Sequence, residues 1–290
     1  MSSFKKILTA YEETTYSRLL QVCDVYGAHV YPKVRLADVL PIAHSGITDD
    51  EFRYALQSHF DFLAVNMDYE PLFTVEFDDP SHKDPEVAQR DQKKNNLCER
   101  FSIPLLRINS RYLLSRYRDM DLLSYFVEVW FLSKVFDDAQ ESGDIPADEP
   151  FDPTFIIRSG GRQNFPLWLS MDIVHHTRRL FDAGKVYDPG PSHFVGVDTN
   201  GTYHALAYLR ITEDSGIAAE TAMRNQLFPI SISDVLADIA TRDLYDRLTL
   251  VLDGQLPPEP ASDIDSKVRK FNAIYEMCCS STFSEGPPQA

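Results

Sequence analysis

Cysteine is scarce in this chain, and its spacing excludes the usual thiolate sites. Four cysteines occur among the 290 residues, namely Cys23, Cys98, Cys278 and Cys279. None belongs to a Cys-x-x-Cys pair, and the adjacent cysteines near the end of the chain match no common zinc pattern. We therefore expect reduced thiols and a cytoplasmic protein.

Long hydrophobic runs are also missing. No stretch approaches the roughly 18 consecutive apolar residues that a membrane-spanning helix requires. The opening stretch "MSSFKKILTAYEETTYSRLL" is amphipathic and carries acids. It lacks the apolar core and the small-residue cleavage site of a secretory signal. We expect a protein that does not associate with membranes.

Positive charge is in deficit, and the deficit is uneven. The chain has 28 Lys and Arg against 44 Asp and Glu, a formal net charge of −16. Residues 1–118 hold 15 basic and 17 acidic residues, or −2, which leaves 13 and 27, or −14, for residues 119–290. An acidic surface does not attract nucleic acid at long range. This argues against a DNA-binding role for the second part of the chain, and much less for the first.

Signatures of several other site classes are missing as well. Gly160 and Gly161 precede a predicted helix but lack the Lys and the spacing of a phosphate-binding loop. Serine and histidine occur without a nucleophile elbow. His175 and His176 are adjacent, and successive helical side chains point about 100° apart, so the two are not expected to bind one ion.

The first part of the chain alternates helical and extended patterns. Residues 7–26 have helical spacing, "HVYPKVRLADVL" reads as extended, and "DFLAVNMDYEPLFTVEFDD" predicts a hairpin. "PEVAQRDQKKNNLCERF" predicts a helix with Pro85 in its first turn, and "IPLLRIN" a short buried strand. The order helix, three strands, helix, strand predicts an α/β fold whose mixed sheet is flanked by helices.

A Pro- and acid-rich stretch, "ESGDIPADEPFDPTF", marks a predicted boundary. We expect one domain over residues 1–140 and an acidic α+β region over residues 141–290. In the latter, Asn200-Gly201 lies between two alternating runs and predicts a hairpin. A long helix with Ser233 as its N-cap follows, and "SKVRKFNAIYEMCCS" predicts a last helix.

The strand pattern "LFTVEFD" carries two acids in its interior. Side chains alternate along a strand, so Phe73, Val75 and Phe77 share one face while Glu76 and Asp78 share the other, about 7 Å apart. Asp61 in the preceding run "DFLAV" can reach the same face. Such acids repel one another unless a cation or a raised pKa relieves the repulsion. Two interpretations stay open, a solvated strand face and a site for Mg²⁺ or Mn²⁺.

The residues after this strand favour the second interpretation. His82 follows closely, and "QRDQKKNN" then begins the predicted helix. Helical spacing places Arg90, Asp91 and Lys94 on a common face. A lysine from this helix can lie over the carboxylates, where an ammonium group suits phosphodiester hydrolysis because it stabilises negative charge in the transition state.

Taken together, "VRLADVL", "FDFLAV", "LFTVEFDDPSH" and "QRDQKKNNLCERFSIPLLRI" resemble a bacterial family of unknown function in the PD-(D/E)xK nuclease superfamily, related to very-short-patch-repair endonuclease-like proteins. The resemblance runs from Glu13 to Ile108, roughly one third of the chain. The chain departs from the family pattern at Phe60, Asn95 and Ser102, where the family has a proline, an acid and a glycine.

The resemblance implies a restriction-endonuclease-like α-β-β-β-α-β core and metal-dependent cleavage of DNA. Asp61 matches the first acid of the superfamily and Glu76 the second, and both would bind Mg²⁺ (or Mn²⁺) with the carbonyl of Phe77. Asp78 stands where the motif has lysine, so Lys94 takes that role. Glu13 or Asp78 would complete or support the ligand shell of the ion.

The resemblance also assigns supporting roles. His82 matches the histidine of the family, and Glu13 matches an acid on the first helix that points to the site. We further expect Arg90, Arg107 and Arg111 to contact phosphates, although ordinary surface arginines are an equal alternative.

A second hypothesis assigns the chain to a different class of protein. The chain would be a non-catalytic or autoinhibited nuclease-fold protein that acts through protein interactions in DNA repair or defence. The charge of residues 119–290 supports it, because that region would repel DNA and attract a basic partner. A homodimer is a further alternative, since the apolar run "LLSYFVEVWFLSKVF" suits a core or a dimer interface.

Overall fold

The computed structural model describes residues 5–78, 85–118, 120–156 and 167–283, with the side chains of residues 85–88 left out. The chain divides into two units. The first comprises residues 1–153 together with residues 226–230, and the second comprises residues 154–225 and 231–290.

The first unit is built on a four-stranded mixed sheet. Its elements are α1 (Ala10–Val25), β1 (His29–Arg35), α2 (Leu36–Val39), α3 (Asp49–Gln57), β2 (His59–Val65), β3 (Pro71–Phe77), α4 (Pro85–Arg100), β4 (Leu105–Ile108) and α5 (Leu122–Ser142). The strands lie in the order β1-β2-β3-β4. The first three pair antiparallel, and β4 pairs parallel to β3 after the crossover through α4. The predicted α/β class with a mixed sheet is confirmed.

Local sequence fixes where the helices of this unit begin. α1 starts in a capping box, in which the Thr9 side chain accepts from the backbone of Glu12 and the Glu12 side chain accepts from the backbone of Thr9. Asp121 caps α5 by accepting from the backbone N–H of Ser124 at 2.8 Å. The capping box holds the Glu12 side chain at the first turn of α1.

Aromatic rings fill the core of the first unit. Phe73 of β3 packs against Trp130 and Phe131 of α5, with ring centroids 4.9 and 5.9 Å away. Phe228, from the returning segment 226–230, packs on the same ring at 5.6 Å. That segment also forms an antiparallel bridge between Leu227 and Leu105. A stretch distant in sequence thus completes this core.

The second unit is an antiparallel sheet with helices. Its elements are α6 (Met171–Asp182), β5 (Ser192–Val197), β6 (Thr202–Thr212), β7 (Ser215–Arg224), α7 (Ile232–Leu252), β8 (Glu259–Pro260), α8 (Ala261–Ile274) and β9 (Glu276–Ser281). The strands lie in the order β8-β7-β6-β5-β9, and α7 packs across β5, β6 and β7. The predicted hairpin is confirmed, with Gly201 at φ 77° in its turn.

Two predictions for the second unit were wrong. The N-cap of α7 is Ser231, not Ser233, because the helix already begins at Ile232. The last helix was predicted to include "EMCCS", but α8 ends at Ile274 and these residues form β9. Pairing with β5 along the sheet edge overrides the local helical pattern there.

In the part of the chain that the structure describes, every helix is too short or too polar to cross a bilayer.

Candidate active site

The antiparallel pairing of β2 and β3 brings Asp61 and Glu76 together. Phe62 lies opposite Val75 in the register, so the two acids are neighbours across the strands. The backbone N–H of Asp61 donates to Glu76 Oε1 at 3.1 Å. The backbone N–H of Phe77 donates to Asp61 Oδ2 at 2.9 Å. Each carboxylate is therefore oriented by the backbone of the other strand.

Lys94 reaches the same place from α4. Its Nζ lies 2.5 Å from Glu76 Oε2 and donates to the carbonyl of His59 at 2.9 Å. The parallel crossover from β3 to β4 passes through α4, which places this helix beside the strand that carries Glu76. The structure thus brings together the three side chains on which the sequence hypothesis depends.

The interpretation of β3 as a strand with one solvated face is wrong. On the face that carries Glu76, Thr74 is 0% exposed and Glu76 only 7%. Burial raises the pKa of Glu76, and the nearby Asp61 carboxylate raises it as well, while the ammonium group of Lys94 lowers it. A buried acid with an ammonium partner is a different environment from the wet face of a sheet.

Lys33 of β1 completes the cluster, and the sequence analysis missed it. Its Nζ lies 2.5 Å from Glu12 Oε1 and 2.6 Å from Asp61 Oδ1. Its backbone has φ 56°, in the left-handed region that residues other than glycine rarely adopt. A lysine inside an extended run is an ordinary sequence feature, so only the register of β1 on β2 reveals this contact.

The ion pair between Lys33 and Glu12 shifts the pKa of both groups. Burial by itself would lower the pKa of Lys33, but hydrogen bonds to Asp61 and Glu12 raise it above its usual value. Burial alone would raise the pKa of Glu12, but the hydrogen bond from Lys33 and those from Thr9 lower it. Both groups therefore stay charged at neutral pH.

The acid that α1 contributes is Glu12, not the predicted Glu13. Glu12 is buried and faces Lys33, whereas Glu13 is half exposed and pairs with Lys6 at 3.1 Å. Neighbouring positions on a helix differ by about 100°, so only one of two successive acids can face the sheet. The motif by itself did not distinguish them.

Arg107 does not lie where a phosphate contact was expected. It is buried in β4, and its guanidinium donates to Asp78 and Asp91 at 3.2 Å and to Asn95 at 2.9 Å. Asp78, predicted to sit with Glu76, is held by this arginine at the end of β3 instead. Through these hydrogen bonds Arg107 ties the end of β3, α4 and β4 together.

The remaining predicted residues are placed as follows. Arg90 and Arg111 are exposed, on α4 and on a short 3₁₀ turn after β4. Their proposed contacts with phosphate stay predictions. His82 lies outside the described residues.

The cluster is most open to solvent at Lys33 and Asp61. The side chains of Glu76 and Lys94 are each 9% exposed, that of Asp61 18%, and that of Lys33 30%. Tyr11, which is exposed, stacks on Phe77 with ring centroids 5.4 Å apart. A ligand would therefore reach the carboxylates from the side of Lys33.

The donor set contains few side-chain ligands. Among the described residues, no three His, Cys, Asp or Glu side chains form a group that could hold a metal ion. The pattern that the resemblance implies needs only two carboxylates and a backbone carbonyl. Asp61, Glu76 and Phe77 supply hard oxygen atoms of this kind, which suit Mg²⁺ or Mn²⁺.

Comparison with known proteins gives a match to part of the chain. A family model described as "Protein of unknown function (DUF2726)" matches residues 4–121, less than half of the chain. The matched range contains all five residues of the cluster, namely Glu12, Lys33, Asp61, Glu76 and Lys94. No curated protein and no solved structure matches the chain significantly.

Proposed function

We propose that the first unit is a metal-dependent nuclease that hydrolyses phosphodiester bonds in DNA. The observation that carries this proposal is the convergence of Asp61, Glu76 and Lys94, with Lys94 Nζ 2.5 Å from Glu76 Oε2. The element order supports a restriction-endonuclease-like core, because α1, β1–β3, α4 and β4 follow in the order α-β-β-β-α-β. The short helices α2 and α3 are inserted between β1 and β2.

Mg²⁺ or Mn²⁺ is the cofactor that this function requires. Asp61 and Glu76, with the carbonyl of Phe77, would hold it, since their oxygen atoms are the ligands that such ions prefer. When bound, a divalent ion of this kind lowers the pKa of a bound water and neutralises charge on the phosphate.

The protein's own groups supply the rest of the chemistry. Lys94 is held between Glu76 and the carbonyl of His59, so its ammonium group is fixed beside the carboxylates. The ammonium group of Lys94 orients the attacking water and stabilises the negative charge that develops on phosphate. His82 orients or protonates the leaving group, and Arg90 and Arg111 contact phosphates.

The test is cleavage of linear, nicked and single-stranded DNA with Mg²⁺ or Mn²⁺. Asp61→Asn and Glu76→Gln keep the shape of the side chains, and glutamine at position 76 keeps an oxygen that can accept from Lys94, whereas alanine would remove that acceptor. Each should reduce cleavage at least about 100-fold, because each removes a charge needed in the transition state. Circular dichroism checks that the variants fold.

Matched controls make the result specific. Asp68→Asn and Glu99→Gln carry the same two substitutions at exposed positions. Both should cleave like the wild type. Cleavage that persists in both site variants would end the proposal, since it would come from another site or from a contaminant.

A second function is favoured by a specific observation. Each oxygen of the Asp61 and Glu76 carboxylates already accepts a hydrogen bond from the protein, from Lys33, Phe77, Asp61 or Lys94. The chain would then be a non-catalytic or autoinhibited nuclease-fold protein, and the charge of residues 119–290 agrees with a basic protein partner. Wild-type protein that binds Mn²⁺ but cleaves none of the substrates would favour this function.

A further inference from the structure

Lys33 occupies an unusual position between two acids. Its ammonium group contacts Glu12 Oε1 at 2.5 Å and Asp61 Oδ1 at 2.6 Å. The left-handed backbone at this residue, φ 56°, is a conformation that persists only where the surroundings enforce it. The two acids come from α1 and β2, so Lys33 joins three separate elements at the open side of the cluster.

Asp61 and Glu12, the two acids that contact Lys33, differ in their other roles. Asp61 is a proposed metal ligand, and one of its oxygen atoms is held by Lys33. An ammonium group and a divalent ion repel each other strongly at contact distance, so both cannot stay on the same carboxylate oxygen. Glu12 has no such conflict, because its other oxygen accepts from the backbone N–H of Thr9 at 2.7 Å in the capping box.

We propose that Lys33 is a resident counter-ion of Asp61 that leaves this acid when the divalent ion binds and then stays on Glu12. The inference rests on the metal site of the proposed function. Lys33 lowers the affinity for the ion, since it must give up one contact. Glu12 restores part of that affinity, because it keeps the displaced ammonium group paired. Both are positioning residues.

The geometry makes the exchange a small movement. Nζ is already within hydrogen-bond distance of Glu12, so Lys33 only has to lose its contact with Asp61. Glu12 is 8% exposed and fixed by its capping box, so it is a stable second partner. Glutamine at position 12 would keep the capping-box acceptor and remove only the charge.

Calorimetric titration of full-length protein with Mn²⁺ tests the proposal. Four proteins are compared: wild type, Lys33→Met, Glu12→Gln and the double variant. Lys33→Met should bind Mn²⁺ about tenfold more tightly, because a competing positive charge is gone. Glu12→Gln should bind severalfold more weakly in the wild-type background and be without effect, within about twofold, once Lys33 is methionine.

The double variant separates this proposal from simpler ones. If Glu12 were itself a ligand, or acted only through its charge, Glu12→Gln would weaken binding by the same factor in both backgrounds, and the proposal would be wrong. Unchanged Mn²⁺ affinity in Lys33→Met, or no binding by any of the four proteins, would also overturn it. Lys6→Met and Glu13→Gln, at an exposed pair of the same residue types, should stay within about twofold of the wild type.

The left-handed backbone at position 33 calls for a second variant. Asparagine tolerates that conformation better than methionine and also lacks the charge. Lys33→Asn should therefore show the same gain in Mn²⁺ affinity even where Lys33→Met folds poorly. No gain in a folded Lys33→Asn protein contradicts the proposal.

The outcome is independent of DNA cleavage. Coupling between positions 12 and 33 in a protein that cuts no DNA would uphold this inference while the nuclease function fails. Cleavage that depends on Asp61 and Glu76, without such coupling, would do the reverse.

Discussion

Glu76 in the first unit is buried and Asp238 in the second is partly buried, but the two carboxyl groups have different partners. In the first unit Glu76 faces the ammonium group of Lys94 at 2.5 Å. In the second unit Asp238 of α7 accepts from Trp168 Nε1 at 3.2 Å, from Ser170 Oγ at 2.6 Å and from the backbone N–H of Leu169 at 3.2 Å. Burial raises the pKa of both acids.

The difference in partners indicates a difference in role. Neutral donors around Asp238 fasten the segment before α6 to α7, and no opposite charge is needed for that purpose. Glu76 lies in a cluster of three acids and two lysines contributed by α1, β1, β2, β3 and α4. Gathering so many buried charges is costly for stability, and it is typical of sites that do chemistry. Substitutions in either unit test this difference in role.

Removing Lys94 should have the largest effect. Lys94→Met leaves Glu76 buried without its ammonium partner, so we expect the free energy of unfolding to fall by about 3–5 kcal/mol. Urea denaturation at pH 7 measures it. Adding Glu76→Gln should recover most of the loss, because the unpaired charge is then gone, although cleavage would stay absent.

Lys93→Met is the matched control on the same helix. Lys93 is more exposed and pairs with Asp50 at 2.6 Å, so its loss should cost less than about 1 kcal/mol. Equal destabilisation by the two lysine variants would mean that the Glu76–Lys94 pair is no different from a surface pair.

The acid of the second unit should give an intermediate, pH-dependent effect. Burial raises the pKa of Asp238 from 3.8 to about 6. Between these two pH values the folded protein keeps the proton of the Asp238 carboxyl group, whereas the unfolded chain has released it. The stabilisation from this proton is therefore complete below about pH 4 and is lost as the pH rises to about 6. Asp238→Asn removes this dependence.

The measurement is the difference in unfolding free energy between wild type and Asp238→Asn. This difference should change by about 1–2 kcal/mol between pH 4 and pH 6.5, because only the wild type carries the titrating carboxyl group. The expected change is reduced for the partial exposure of that group. Asp253→Asn, at the exposed end of the same helix, should show a smaller change. A flat difference for Asp238→Asn would contradict the assigned environment.

The smallest effects should separate the two successive acids of α1. Glu12→Gln weakens the contact with Lys33 and should cost about 1 kcal/mol, since one ion pair of a partly buried network is lost. Glu13→Gln affects only the exposed pair with Lys6 and should cost less than about 0.5 kcal/mol. Thermal unfolding of both variants decides which acid belongs to the cluster, and the reverse order would reject the assignment of Glu12.

Sequence reasoning reached the part of the site that follows from short-range periodicity. Alternation along a strand and a hairpin between two apolar runs predicted that Asp61 and Glu76 would meet. Helical spacing placed Lys94 on one face with Arg90 and Asp91, and the resemblance to the nuclease superfamily singled out Lys94. The same rules could not place Arg107. A basic residue in a strand gives the same sequence pattern whether its side chain is exposed or is held by buried acids.

The sequence predicted the order of the core elements of the first unit, both hairpins and the shared strand face of Asp61 and Glu76, because each depends on the spacing of neighbouring residues. Three features became visible only in the folded protein. Lys33 lies between Glu12 and Asp61, Glu13 points away from them, and residues 226–230 return to complete the core of the first unit. These contacts join residues far apart in the chain, and they form only when strand register and helix rotation are fixed together by packing.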